Sequence, residues 1–177
     1  MIEVEIKAHL EDFTSVETQL LQLGATFRKA IHQRDTYFQH PIRNFAQTDE
    51  ALRIRISDDK SYLTYKGSKL DPSSKTREEL ELEIQEPNQL LELLKKVGFI
   101  PVKTVIKSRK SYILDDIKIS LDKVEGLGYF IELEIDISEK DAIPPTRDRL
   151  ISLLAQLNIS SEKLERRSYL ELLILQK

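Results

Sequence analysis

Apolar and polar residues alternate with a period of two in eight stretches of the chain, the pattern of half-buried strands. They are Ile2–Ala8, Arg34–Gln39, Ala51–Ser57, Ser61–Lys66, Thr76–Ile84, Val105–Ile113, Ile117–Val124 and Gly128–Ile137. Turn residues separate several of them: Asp58-Asp59, Asp115-Asp116 and Glu125-Gly126-Leu127-Gly128 each predict a hairpin. Between the strands the period changes to that of a helix. Phe13, Val16, Leu20, Leu21 and Leu23 share one face, with Gly24 at the C-cap position. A second helix carries Leu90, Leu91, Leu94 and Val97 between Pro87-Asn88 and Gly98. Pro144-Pro145 opens a third, with Leu150, Leu153, Leu154 and Leu157 as its stripe, and a fourth is expected over Lys163–Leu175.

This order (strand, helix, four strands, helix, three strands, helices) predicts an α+β fold of two related halves in a single domain, 1–177. The loop Gly67–Lys75, with its Gly, Pro, Ser and Asp residues, is expected to be mobile.

The polar faces of the strands change the picture. They carry Glu3, Glu5 and Lys7; Arg53 and Arg55; Tyr62, Thr64 and Lys66; Arg77, Glu79, Glu81 and Glu83; Lys107 and Arg109; Lys118, Ser120 and Asp122; Glu132, Glu134 and Asp136. An ordinary sheet with one wet face would account for any one of these strands. Few Thr, Gln or Ser residues cover these faces, however, and eight strands are enough to close a barrel. Amphipathic helices would then cover an apolar outside and leave the charges lining a lumen. Charges so enclosed are costly unless they pair or bind a ligand. Converging Lys and Arg suit polyphosphate, and converging carboxylates suit Mg²⁺ or Mn²⁺.

Composition narrows the classes. The 177 residues carry a net charge of −3 and no cysteine, which excludes a disulfide framework, a thiolate zinc site and a cysteine nucleophile. The acidic balance disfavours non-specific nucleic-acid binding. The acidic N-terminus and the short apolar runs predict a cytoplasmic protein without a membrane segment. His9, His32 and His40 lack a ligand spacing, and no phosphate-binding glycine loop is present, so side chains would have to hold any phosphate.

Glu3-Val-Glu-Ile-Lys7 matches the ExExK signature of the CYTH domain, the triphosphate tunnel metalloenzymes. The resemblance extends through Arg34-Asp-Thr-Tyr-Phe38, Thr48-Asp-Glu-Ala-Leu-Arg-Ile-Arg55, Tyr62-Leu-Thr-Tyr-Lys-Gly67, Lys75-Thr-Arg-Glu-Glu79, Ile106-Lys-Ser-Arg109, Leu121-Asp-Lys-Val-Glu-Gly-Leu-Gly128, Phe130-Ile-Glu-Leu-Glu134 and Arg167-Ser-Tyr169. It covers essentially the whole chain and looks nearest to the class IV adenylyl cyclase-like branch. It implies an eight-stranded antiparallel barrel with helices outside. It also implies a metal set of Glu3, Glu5, Asp122, Glu132 and Glu134 for Mg²⁺ or Mn²⁺, and a triphosphate set of Lys7, Arg53, Arg55, Lys66, Arg77, Lys107, Arg109 and Arg167. Glu5, Lys7, Asp122 and Glu134 would be catalytic, Glu79 would accompany Arg77, and Glu81 and Glu83 have no assigned role.

The implied activity is a class IV adenylyl cyclase converting ATP to cyclic AMP and pyrophosphate. The alternative is a triphosphatase acting on tripolyphosphate, a nucleoside triphosphate or thiamine triphosphate. A non-catalytic polyphosphate-binding module and a structural protein with a wet sheet are further alternatives. The expected partner is the small-molecule triphosphate, with no nucleic acid and no membrane, and the chain is expected to be a monomer or a homodimer. Removing one like charge from a crowded lumen, as in Glu134→Gln or Arg55→Ala, is expected to leave stability equal or higher.

Overall fold

The computed structural model describes residues 2–58, 60–70 and 77–176. Eight strands form one closed barrel in the order β1-β5-β4-β3-β2-β6-β7-β8, and every neighbouring pair is antiparallel. They are β1 (Ile2–Leu10), β2 (Thr26–Gln39), β3 (Ala51–Ser57), β4 (Lys60–Lys69), β5 (Arg77–Ile84), β6 (Ile100–Leu114), β7 (Ile117–Val124) and β8 (Gly128–Ile137). The helices are α1 (Thr14–Gln22), α2 (Phe45–Thr48), α3 (Pro87–Lys96), α4 (Ile143–Gln156) and α5 (Tyr169–Leu175), with 3₁₀ turns at Lys140–Ala142 and Ser161–Lys163.

The outward residues of the alternation make the core. Val4, Ile6 and Ala8 of β1, Ile117, Ile119 and Leu121 of β7, and Ile131, Leu133 and Ile135 of β8 are buried beneath Val16 and Leu20 of α1 and the Leu150, Leu153, Leu154, Leu157 stripe of α4. On the other side, α3 sets Leu94 against Phe38 of β2 and Ile54 of β3. Gly24 and Gly98 end α1 and α3 with φ of +92° and +99°, a conformation that costs glycine little. The outer face of β5 is left bare, with Leu80 and Leu82 60% and 65% exposed. Among the described residues β1 and β5 pair at Ile2↔Glu78 and Glu3↔Arg77.

Four elements differ from expectation: the short helix α2, with Asn44 as its N-cap, stands between β2 and β3 where no helix was expected, and β2, β6 and the C-terminal helix have other bounds. β2 begins at Thr26 rather than Arg34, because its first half pairs only with β6. Polar and charged on both faces, as in Arg28, Lys29, His32 and Gln33, it shows no period-two stripe. β6 likewise begins at Ile100, five residues earlier than expected.

The expected helix from Lys163 is a 3₁₀ turn followed by an extended segment. Leu164 bridges Ala8, and the Glu165 N–H donates to the Lys7 carbonyl at 2.8 Å. Helix α5 starts only at Tyr169, where Ser168 and Glu171 form a reciprocal capping box. Of the loop expected to be mobile, Gly67–Lys69 belongs to β4, and residues 71–75 lie outside the described residues.

Candidate functional site

Each of the eight strands sends polar side chains into the barrel, where they line a cavity of about 440 Å³. Small-molecule clefts commonly measure about 300–1,000 Å³. The charges inside are sorted by strand.

The basic wall comes from β3, β4, β5 and β6. Arg55 binds Asp35 through two parallel bonds, Nε to Oδ1 at 2.7 Å and NH2 to Oδ2 at 2.6 Å. Arg53 is buried; it stands 3.5 Å from Asp35 and 3.6 Å from Glu79, and its Nε has no hydrogen-bond partner. A buried donor left open in this way fits an anionic ligand. Lys66 pairs with Glu79 at 2.5 Å and lies 3.8 Å from Glu3. Arg77 donates to the Asp49 carbonyl at 3.3 Å. Burial alone would raise the Asp35 carboxyl, but the flanking guanidiniums of Arg55 and Arg53 hold it far below the usual carboxylate range.

The acidic wall comes from β1 and β8, whose register sets Glu3 directly opposite Asp136 and Glu5 opposite Glu134. Like charges facing across a ladder repel one another. Carboxylate oxygens of Glu3, Glu134 and Asp136 lie within 4.8 Å of one another. Burial, reinforced by Glu134, Glu5 and Glu79 against the opposing Lys66, pushes the Glu3 carboxyl up to about 8. Glu134 is raised too, by burial and by Glu5 and Asp136. An all-oxygen set of this kind fits Mg²⁺ or Mn²⁺. Lys118, opposite Glu134 on β7, bridges Glu134 and Asp136 at 2.7 and 2.5 Å.

Between these walls lies a fully buried cluster. Asp122 is inaccessible to solvent; it accepts from Lys107 at 2.9 Å, from Arg109 at 2.7 and 2.5 Å, and from the Tyr169 hydroxyl at 3.0 Å. Arg109 also reaches Glu132 at 2.5 Å. Burial and the neighbouring Arg109 pull the Lys107 ammonium down to about 8 against the pull of Asp122 and Glu132. Lys7 is buried with its Nζ 4.1 Å from the Tyr169 ring centroid, and it donates to the Arg167 carbonyl. Tyr169 and Leu172 of α5 pack here on Val105, Val124 and Phe130, closing this side of the barrel.

The expected site residues thus separate into groups. Glu3, Glu5 and Glu134 share one wall, whereas Asp122 and Glu132 are held by Arg109 away from the Glu3–Glu134–Asp136 group. Arg53, Arg55, Lys66, Arg77, Lys107 and Arg109 all line the cavity. Arg167 does not: its side chain is 53% exposed and hooked onto Glu165 at 2.5 Å, and only its carbonyl turns inward, toward Lys7. Four participants had no assigned role in the sequence reading: Asp35, Lys118, Asp136 and Tyr169. All four stand within the matched motifs or on alternating faces, but cross-strand register alone reveals what they meet. Apolar side chains line the cavity too, among them Phe45 of α2, Val102 of β6 and Leu170 and Ile174 of α5. Among the described residues no helix is long and apolar enough to cross a membrane.

A family model for the CYTH domain matches residues 1–169. A Methanocaldococcus jannaschii protein, provisionally named an adenylate cyclase, is 46% identical over 175 residues, spanning 97% of this chain and 98% of that protein. The solved structure of the PH1819 protein from Pyrococcus horikoshii superposes with a TM-score of 0.92 at 44% identity, covering 99% of each chain. A Hippeastrum protein, provisionally named an adenylyl cyclase and described as having a dominant triphosphatase activity, shares the fold with a TM-score of 0.70 at 21% identity, covering 99% of this chain and 96% of that one. The charged barrel, the family match along nearly the whole sequence and these relatives agree, and the chain belongs to the CYTH domain family.

Proposed function

We propose that this protein is a divalent-metal-dependent enzyme that draws the triphosphate of ATP into its tunnel and forms cyclic AMP and pyrophosphate, as a class IV adenylyl cyclase does. The observation that carries this reading is the cavity's lining, which combines a basic wall and an acidic wall with apolar side chains. A bare inorganic triphosphate needs only the charged part. A nucleotide uses both, with its base against Phe45, Val102, Leu170 and Ile174. The provisional name of the M. jannaschii relative points the same way.

In this reading Arg53, Arg55, Lys66 and Arg77 hold the phosphate oxygens, with the open Nε of Arg53 among the donors. Glu3, Glu134 and Asp136, with Glu5 beside them, would hold the Mg²⁺ or Mn²⁺ ion, which would supply positive charge to the phosphoryl transfer. The ribose 3′-hydroxyl gives its proton to a carboxylate of the acidic wall as its oxygen forms a bond to the α-phosphorus, and the bond from that phosphorus to the bridging oxygen breaks. The guanidinium and ammonium groups stabilise the charge gathering on the departing pyrophosphate. Asp122 orients Lys107 and Arg109 rather than meeting the metal.

Hydrolysis is the second reading, supported by the activity described for the Hippeastrum neighbour. The same residues would serve, with water in place of the 3′-hydroxyl and the terminal phosphorus as its target. The two separate in one experiment. Purified protein is incubated with ATP, tripolyphosphate or thiamine triphosphate and Mg²⁺ or Mn²⁺, and the products are resolved by chromatography. Cyclic AMP with pyrophosphate is expected from ATP, and none after chelation. Orthophosphate without cyclic AMP would replace the cyclase reading with hydrolysis, and turnover that survives excess chelator would remove the metal.

A further inference from the structure

Lys118 stands apart from the other cations of the tunnel. Lys7 and Lys107 are buried beside aromatic rings. Arg53, Arg55 and Arg109 are largely enclosed and engaged with Asp35, Glu79, Asp122 or Glu132. Lys118 lines the same cavity, yet its side chain is 52% exposed. Its ammonium lies 2.7 Å from Glu134 and 2.5 Å from Asp136, two of the three carboxylates whose oxygens gather within 4.8 Å. The ladder explains why it is there. Glu134 and Asp136 face Glu5 and Glu3 on β1, like charge against like, while on the other side Glu134 faces Lys118 on β7.

We propose that Lys118 is a displaceable counter-cation: it neutralises Glu134 and Asp136 in the empty tunnel, competes with the divalent ion for them, and once displaced turns its ammonium to the triphosphate. This inference rests on the reading of a metal-dependent triphosphate enzyme. The competition is physical. An ammonium is a compact point charge with three donors, and the carboxylate lone pairs it occupies are those a hard cation requires. With Lys118 in place the Glu3, Glu134 and Asp136 group is partly neutralised; with it withdrawn the full acidic charge faces the ion. A flexible, half-exposed stem lets the ammonium move without disturbing the barrel. Released beside the basic wall, it adds one more donor for phosphate. Metal and triphosphate therefore each favour the state that receives the other, a coupling that works in both directions.

The test is calorimetric, on the whole chain, with Mn²⁺ alone and with tripolyphosphate in the presence and absence of Mn²⁺. Lys118→Met keeps the length and removes the charge. It is expected to bind Mn²⁺ alone about fivefold more tightly or better, the scale on which a half-exposed ion pair competes. It is also expected to lose tripolyphosphate affinity by a larger factor with Mn²⁺ present than without it. Lys118→Arg, which restores a cation, should return Mn²⁺ binding toward the wild-type value. Unchanged or weaker Mn²⁺ binding by Lys118→Met, while the wild type binds the ion, would overturn the inference alone. A wild type that takes up no Mn²⁺ with or without tripolyphosphate would overturn the metal reading, and this inference with it.

Discussion

Arg55 grips Asp35 with a two-pronged contact, 2.7 and 2.6 Å, at a carboxylate almost wholly removed from solvent. The pair reverses the sign expected from charge crowding alone. Arg55→Ala relieves no repulsion; it strips a buried anion of its principal partner. Breaking a buried ion pair typically costs about 3–5 kcal/mol. Since Arg53 remains 3.5 Å away, the loss should fall near the lower end, about 3 kcal/mol. Triphosphate binding should weaken as well, by about 1.5–3 kcal/mol for a charged hydrogen bond. Urea denaturation and tripolyphosphate titration of the same variant measure both. Wild-type stability in Arg55→Ala would contradict the geometry.

Glu134→Gln should behave in the opposite way. Glu134 faces Glu5 across the ladder, and burial, with Glu5 and Asp136, outweighs the pull of Lys118 and disfavours its charge. The amide should leave the protein as stable as the wild type or more so, while turnover with Mg²⁺ or Mn²⁺ falls sharply. A thermal melt beside a product assay checks the two signs together; a strongly lowered melting temperature would speak against the crowded acidic wall.

The C-terminal segment should be released by acid. Hydrogen bonding from the Arg167 side chain, helped by its backbone N–H and by His9 against an opposing burial effect, lowers the Glu165 carboxyl to about 2. A depressed carboxylate pKa contributes stability that is full above its unfolded value of about 4.5 and is lost as pH falls through its folded value. Between about pH 4.5 and pH 2 the hold of Glu165 on Arg167 and on β1 should therefore fade. Hydrogen exchange at the amides of α5 should quicken in this window relative to those of β7 and β8, and Glu165→Gln should show the faster exchange already at neutral pH. Uniform exchange across both regions would contradict this.

The apolar side chains of the cavity lining should matter only to substrates with an organic group. Ile174 is half-exposed on α5. Ile174→Ser should raise KM for ATP by roughly 10-fold, the scale of a lost apolar contact in a pocket, and leave tripolyphosphate affinity unchanged. Equal loss with both ligands would place Ile174 in a structural role.

Much of the tunnel was legible because period-two alternation separates two faces without any knowledge of pairing. Glu3, Glu5 and Lys7 point inward for the same reason that Val4 and Ile6 point outward. Register was not legible. That Glu134 would face Glu5, or that Arg109 would claim both Asp122 and Glu132, depends on which residue of one strand stands beside which of the next. Asp136 sits one alternation step beyond the Glu132, Glu134 pair and was noted on that face, yet only the ladder brings it to Glu3. The first half of β2 escaped notice because both of its faces are polar. The start of α5 was written plainly as Ser168-Tyr-Leu-Glu171, a capping-box signature overlooked in favour of the longer apolar periodicity.

The long ladder between β1 and β8 has a consequence for how the molecule comes to exist. Strand β1 is paired along its length with β8, Lys7 with Glu132 and Glu5 with Glu134, so more than a hundred residues separate it from this neighbour. Contacts this distant in sequence slow folding, by the loop entropy they must first overcome. Strands β2 through β8 can assemble as an open sheet in which Glu132 and Glu134 already stand in line. The arrival of β1 then does two things at once: it shuts the barrel, and it delivers Glu3, Glu5 and Lys7. Closure of the barrel and completion of the acidic wall would then coincide, so a chain stalled one strand short would hold nearly all of its sheet yet lack Glu3, Glu5 and Lys7.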